Sequence, residues 1–155
     1  MAVPIVIPDA SVLLKWVLPS DEEPHADNAL LMRSAILEST IHALVPPLWI
    51  YEVGNTVARR FPEQAQGWLS ALMKFAIEEV PASKPWLAKT LELAQKHDVT
   101  FYDASYHALA IVSGGCFVTA DSKYVNKTKT SGSVIALSDW APPEEPPNPG
   151  KRKRT

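Results

Sequence analysis

The sequence predicts an α/β protein: a three-layer α/β/α sandwich around a central, mainly parallel sheet. Short apolar runs alternate along the chain with longer segments of helical periodicity, which is typical of parallel sheets. Two of the runs, 3–8 and 116–120, are almost entirely apolar, as strands covered on both faces are. A chain of 155 residues is also long enough to bury a substantial core in one domain.

The first half of the chain contains two predicted strands, 3–8 and 41–46. Its predicted helices are 11–18, 20–38, 48–61 and 63–76. Ser20 and Glu23 have the spacing of a capping box at the start of the second helix. The third helix has a weak point at Gly54 and ends before Pro62, because proline cannot continue the backbone hydrogen bonding.

The second half contains three predicted strands, 77–81, 116–120 and 133–137. Its predicted helices are 83–98 and 100–113. The first of these helices begins with a serine cap at Ser83 and an early Pro85, a favourable start. The pair Gly114-Gly115 ends the second, since glycine readily adopts the left-handed conformation that closes a helix.

The composition divides the chain into a domain at 1–140 and a tail at 141–155. The tail holds five of the 14 prolines and four basic residues, and we predict that it is disordered. Without it the chain has 11 basic and 15 acidic residues, which argues against nucleic-acid binding through bulk charge. The single cysteine, the lack of a long apolar stretch and the lack of a secretion signal favour a cytoplasmic location.

Four acidic residues lie where predicted strands end or helices begin: Asp9, Glu52, Asp103 and Asp121. In open parallel sheets, ligands bind beyond the carboxyl ends of the strands. We therefore expect these carboxylates to reach a common edge of the sheet.

Helix capping is the alternative explanation for three of the acids. Asp9 and Asp103 stand at positions where a side chain can cap a helix, and Asp121 can end its strand in a turn. Glu52 is harder to explain this way, because its neighbours in the chain are mostly apolar. Asn55 and Thr56, one helical turn on, extend a polar stripe from it.

If the four acids meet, a counter-charge is required. Like charges a few ångström apart raise one another's pKa values and destabilise the fold. Oxygen ligands without cysteine or histidine suit Mg²⁺ or Mn²⁺. Such an ion activates water and stabilises charge on a phosphoryl group, so the chemistry that follows is phosphodiester hydrolysis.

Four stretches of the chain carry a family resemblance: "IVIPDASVLLKW", "PPLWIYEVGNTV", "TFYDASYHALA" and "CFVTADSKYVNK". Over roughly residues 3–140 the sequence resembles the PIN-domain nucleases, most closely the VapC-type toxins of toxin–antitoxin pairs. The resemblance implies a PIN-like fold and an RNA-cleaving, Mg²⁺- or Mn²⁺-dependent site.

The resemblance also implies roles for individual residues and partners. The acidic quartet of the family falls on Asp9, Glu52, Asp103 and Asp121, with metal ligands at the three aspartates. Ser11 and Thr119 match hydroxyl positions that line the family's site, and we expect them to bind substrate together with Lys123. Expected partners are RNA, a cognate antitoxin and a second copy of the chain.

The sequence departs from the family where many relatives have an arginine before the last acid, since Ala120 stands there. Its basic role is then expected from three lysines that follow: Lys123, Lys127 and Lys129. Asn126 is a further candidate for the cleft. His107 lies on the same helical face as Asp103, and we favour a structural role for it over a catalytic one.

Two other functions compete with the nuclease hypothesis. The chain could be a non-catalytic RNA- or protein-binding module of the same fold, with the acids serving as helix caps. It could also be a phosphatase that forms an aspartyl phosphate, although that chemistry usually has a second aspartate where Ser11 stands.

Overall fold

The computed structural model describes residues 2–144. Five parallel strands form one sheet in the order β3-β2-β1-β4-β5. The strands are β1 (Ile5–Pro8), β2 (His42–Val45), β3 (Ile77–Glu79), β4 (Cys116–Thr119) and β5 (Val134–Ala136). The predicted fold class is confirmed.

Seven helices connect and cover the strands. They are α1 (Ala10–Leu14), α2 (Ala26–Leu37), α3 (Trp49–Arg60), α4 (Ala65–Met73), α5 (Lys84–His97), α6 (Phe101–Ser113) and α7 (Ser122–Thr128). Successive residues of a strand point to opposite faces of the sheet, and both Val6 and Ile7 of β1 are buried. Helices therefore cover both faces of the sheet, and the main core lies between them.

The caps of α5 and α6 follow the sequence prediction. The Ser83 hydroxyl accepts a 3.3 Å hydrogen bond from the Trp86 amide, and Pro85 stands in the first turn. Gly114 ends α6 in the left-handed conformation with φ of 72°. At Gly115 a Cβ atom would stand 2.8 Å from the Ile5 carbonyl oxygen, so only glycine fits where β4 passes β1.

The predicted start of the second helix is wrong. The helix begins at Ala26, and the stretch 19–25 consists of turns. Glu23 does not complete a capping box with Ser20, since its carboxylate accepts a 3.0 Å hydrogen bond from the largely buried Lys15 ammonium. Pro24 also disfavours helical backbone at the residue before it. The first helix is shorter than predicted, because turns replace helix after Leu14.

The sequence does not predict helix α7. Its residues 122–128 lack the apolar periodicity of an amphipathic helix and have the composition of a basic loop. Elsewhere the predicted helices and strands agree with the structure to within a few residues at each end. Residues 145–155 of the predicted disordered tail lie outside the described residues. Within 2–144, no helix combines the length and the apolar character needed to cross a membrane.

Candidate active site

The fold brings the four predicted acids to one edge of the sheet. Asp9 follows β1 directly, and Asp121 follows β4, which pairs with β1. Glu52 lies in the first turn of α3, the helix after β2, and Asp103 lies in the first turn of α6. Their charges interact: Asp103 raises the pKa of Asp9, and Asp121 raises that of Asp103.

Asp9 is held by two hydroxyl groups that donate to the same oxygen. Its Oδ2 accepts hydrogen bonds of 2.6 Å from Ser11 and 3.0 Å from Thr119. Each hydroxyl oxygen also accepts a backbone bond, Ser11 from the Ala120 amide (3.2 Å) and Thr119 from the Asp121 amide (3.1 Å). These amides orient both hydroxyl protons toward Asp9, so that Oδ2 of its carboxylate is committed to these two donors.

The capping explanation fails for Asp9. The residue occupies the N-cap position of α1, but its side chain makes no capping hydrogen bond. Burial of the carboxyl group raises its pKa, even though the two hydroxyl donors act in the opposite direction. A buried carboxylate that no helix end requires is expensive to keep, which points to a role other than helix stability.

Glu52 faces Tyr106, a residue that sequence reasoning missed. Among the described residues, Oε1 of Glu52 and the Tyr106 hydroxyl are buried without a hydrogen-bond partner. Burial raises the pKa of Glu52 by more than the nearby Tyr106 hydroxyl lowers it, and the charges of Asp9 and Asp103 raise it further. Burial and these same acids also raise the pKa of Tyr106, so its hydroxyl keeps its proton. The spacing from Asp103 to Tyr106 on one helix could have indicated it.

Capping explains Asp121 and only partly explains Asp103. Oδ1 of Asp121 accepts bonds from the amides of Lys123 (3.0 Å) and Tyr124 (3.2 Å), which starts α7. For Asp103 it is the backbone amide that is capped, by the Thr100 hydroxyl at 3.1 Å. Burial raises the pKa of the Asp103 carboxyl group by more than the Thr100 hydroxyl lowers it.

A shallow cleft of about 400 Å³ opens between α3 and α6. Its lining residues are Leu48, Tyr51, Glu52, Asn55, Thr100, Tyr102 and Asp103. Asn55 therefore lines the cleft, as the predicted polar stripe requires. The cleft gives two of the acids, Glu52 and Asp103, access to solvent.

The lysines after Asp121 do not act as one basic patch. Lys127 donates a 3.0 Å hydrogen bond to the Asp98 carbonyl at the end of α5, so its charge serves that helix end. Lys123 is exposed in the first turn of α7. Its role in substrate binding stays a prediction. Lys129 and Asn126 are also exposed.

His107 is structural, as favoured from the sequence. Nε2 lies 2.7 Å from the Gly132 carbonyl oxygen, which can only accept, so this nitrogen carries the proton. Nδ1 then accepts from the Tyr124 hydroxyl at 2.9 Å. Burial lowers the pKa of His107, which keeps the ring neutral.

The donor set suits a hard divalent cation. It consists of carboxylate oxygens alone, the repulsion among them is uncompensated, and Oε1 of Glu52 is an orphaned buried acceptor. Among residues 2–144, no three acidic, histidine or cysteine side chains surround one point closely enough to enclose an ion. Mg²⁺ does not need such a cage, because it is commonly held by one or two carboxylates, water and substrate phosphate.

The class of protein is defined by its parallel α/β fold and by the acids gathered at the carboxyl edge of the sheet. Comparison with known families agrees with this class. The profile of the PIN domain matches residues 6–129. The chain belongs to the PIN domain family, and its curated relatives within that family are VapC proteins.

Three comparisons illustrate the relationship. The ribonuclease VapC3 of Pyrobaculum aerophilum is 31% identical over 129 residues, covering 79% of this chain and 93% of the relative. The exonuclease VapC9 of the same organism is 35% identical over 93 residues, with coverages of 58% and 70%. The crystal structure of VapBC2 from Rickettsia felis, bound to a promoter DNA fragment, shares the fold at a TM-score of 0.62 and 15% identity. That likeness covers 85% of this chain and 96% of the other.

Proposed function

We propose that the protein is a Mg²⁺- or Mn²⁺-dependent endoribonuclease and the toxin of a type II toxin–antitoxin system. Membership of the PIN domain family and its likeness to VapC proteins named as a ribonuclease and an exonuclease support a nuclease. The observation that carries the proposal is the state of Asp9. Its carboxylate is partly buried, makes no helix-capping hydrogen bond, and accepts hydrogen bonds from two hydroxyl groups at Oδ2.

The metal would be held by Asp9, Asp103 and Asp121. When bound, it would neutralise the acids, activate the attacking water and stabilise charge on the phosphate. Oδ2 of Asp9 is committed to Ser11 and Thr119, so Oδ1 would be the oxygen that binds the ion. Asp121 is capped through Oδ1, which likewise leaves one oxygen available.

Glu52 would orient the attacking water. Its raised pKa and its orphaned Oε1 make it a proton acceptor within the cleft. The Tyr106 hydroxyl lies near this carboxylate, and Asn55, on the same helix as Glu52, would offer an amide to the bound strand. Lys123, Ser11 and Thr119 are the proposed substrate contacts. The two hydroxyls act chiefly by holding Asp9.

The proposed partners are single-stranded RNA, an antitoxin and a second copy of the chain, in the cytoplasm. A solved structure that shares this fold is a toxin–antitoxin complex from Klebsiella pneumoniae, which supports an antitoxin partner here. The negative charge of residues 1–140 means that RNA contacts must be local to the cleft.

RNA cleavage tests the proposal. Purified protein is incubated with linear and circular RNA in Mg²⁺ or Mn²⁺, in chelator, and as the Asp9→Asn variant. We expect the wild-type chain to cleave both RNAs with metal, and we expect no cleavage in chelator or by Asp9→Asn. Asp27→Asn, an exposed acid in the first turn of α2, is the matched control and should cleave normally. Equal cleavage by Asp9→Asn or in chelator would reject the proposal, and cleavage confined to linear RNA would indicate an exonuclease.

The second candidate is a non-catalytic binding module of the same fold, favoured by the cap that Asp121 provides. Calorimetry with Mn²⁺ separates the two. A module whose acids serve only structure binds no Mn²⁺, and Asp103→Ala then costs no more than about 1 kcal/mol of stability.

A further inference from the structure

A compact apolar pocket of about 270 Å³ lies beside the acidic cleft. Its walls include Pro47, Leu48, Ala82, Trp86, Phe101 and Tyr102. Trp86 and Phe101 meet edge to face, with their ring centres 5.9 Å apart at 88°. The pocket is therefore a preformed aromatic space between the start of α3, the loop before α5 and the start of α6.

Two polar groups at this pocket, on Trp86 and Ser105, are already in use. The Trp86 indole Nε1 donates a 2.9 Å hydrogen bond to the Ser105 carbonyl oxygen. The Ser105 hydroxyl donates a 2.6 Å hydrogen bond to the Tyr102 carbonyl oxygen. Shape and stacking on the aromatic rings therefore contribute most to recognition of an occupant.

The pocket and the acidic cleft are continuous. Leu48 and Tyr102 line both, and Tyr102 is 60% exposed, so its ring forms the ridge between them. A ligand whose phosphate lies at the acids can place an attached flat ring in the pocket. The volume is below the range of about 300–1,000 Å³ that drug-sized ligands occupy, which suits one ring system rather than a peptide helix.

We propose that this pocket binds one nucleobase of the RNA strand, next to the phosphate that is cleaved. The inference rests on the proposed function, and it adds the site that determines where the strand sits. Stacking on aromatic side chains tolerates every base, since each has a π face. The pocket therefore requires a base to be present and discriminates weakly among the four, with purines favoured by their larger ring area.

The test is binding of a short single-stranded RNA to the Asp9→Asn protein in Mg²⁺, measured by fluorescence anisotropy. The intact RNA is compared with a series that carries one abasic ribose at each position in turn. Loss of one stacked base should weaken binding roughly 5- to 100-fold at a single position. Uniform affinity across the series would overturn the proposal.

Two pocket variants and one control complete the experiment. Ala82→Phe fills the pocket from an exposed loop, and Tyr102→Ala removes the ridge. Both should remove the difference between intact and abasic RNA. Ala76→Phe is the matched control. Ala76 is exposed at the amino end of β3, whereas the pocket lies at the carboxyl ends of the strands, so this variant should bind RNA as its parent does. Melting temperatures confirm that each variant folds.

The outcomes separate this proposal from the function on which it rests. Base-dependent binding without cleavage by the wild-type chain supports the pocket and rejects the nuclease. Cleavage that Ala82→Phe leaves unchanged, with equal affinity for intact and abasic RNA, rejects the pocket and keeps the nuclease. If Ala82→Phe weakens capture of an antitoxin peptide but not of RNA, the occupant is protein and the proposal is wrong.

Discussion

The Thr119 hydroxyl donates a 3.0 Å hydrogen bond to the carboxylate of Asp9, a residue 110 positions away in the chain. Because β1 and β4 pair in register, the end of one strand holds the acid and the end of the other supplies its donor. The same hydroxyl accepts the Asp121 amide at 3.1 Å. One threonine thus couples two of the four acids.

Thr119→Val should lower RNA cleavage about 10- to 100-fold, the usual effect of losing a group that orients a metal ligand. Stability should fall by about 1–2 kcal/mol, since an amide and a carboxylate each lose a partner. Cleavage rates and denaturant melts measure both effects. Thr90→Val, which removes another buried hydroxyl, bonded to the Trp86 carbonyl oxygen, is the matched control and should change stability alone. Equal activity in the two variants would contradict the account.

Asp121 has two roles that different substitutions separate. Asp121→Ala should lose about 1 kcal/mol of stability together with activity, because the cap of α7 disappears. Asp121→Asn keeps a good capping side chain and should lose activity with little change in stability. Thermal melts and cleavage assays on the pair check this. Normal cleavage by Asp121→Asn would leave capping as the residue's whole function.

Without metal, Asp9→Asn should stabilise the protein at neutral pH. The folded pKa of Asp9 is raised above its unfolded value of about 3.9, so its stabilising contribution is complete below that pH. That contribution is lost as the pH rises through the folded pKa, where a buried charge forms. Each pH unit by which the folded pKa exceeds the unfolded one corresponds to about 1.4 kcal/mol, or roughly 3–5 °C in a chain of this length.

Melting curves in chelator from about pH 4 to pH 8 test this prediction. The gain from Asp9→Asn should vanish at the acid end and grow toward neutral pH. Asp27→Asn, at an exposed position, should show no such trend. A lower melting temperature for Asp9→Asn at neutral pH would show that the Asp9 charge is compensated within the protein.

His107 should matter for stability rather than for chemistry. His107→Ala removes a hydrogen-bond partner from both the Gly132 carbonyl and the Tyr124 hydroxyl and leaves a cavity, at a cost of about 2–4 kcal/mol. The folded fraction should cleave RNA with an unchanged pH profile. His42→Ala, at an exposed position, should change neither property. Loss of one limb of the pH profile in His107→Ala would instead identify a catalytic base.

The sequence predicts the sheet and the position of the acids well, because strand patterns are strong and parallel strands end at one edge. It predicts the supporting contacts poorly. The bonds from Ser11 and Thr119 to a single oxygen depend on the register of β1 against β4, and that register is a tertiary property. Helix α7 escapes prediction because its start depends on a side-chain cap rather than on apolar periodicity.

Lys127 shows a different limit of sequence reasoning. Its spacing from Asp121 suggests a basic patch, yet its ammonium group binds the carbonyl of Asp98 at the end of α5. Packing of α5 beside α7 decides this contact, and no local pattern contains it. Tyr106 is missed for a related reason. It stands in an apolar segment of the sequence, and only the tertiary structure shows that its hydroxyl lies near Glu52.

The central claim is that Asp9, Asp103 and Asp121 hold a metal ion, and Mn²⁺ binding by titration calorimetry tests it most directly. The wild-type chain, Asp103→Asn and the exposed control Asp27→Asn are titrated at neutral pH. The account predicts Mn²⁺ binding by the wild-type and Asp27→Asn proteins, and an affinity at least about tenfold weaker for Asp103→Asn. Equal affinities in all three, or no binding by the wild-type chain, would contradict it.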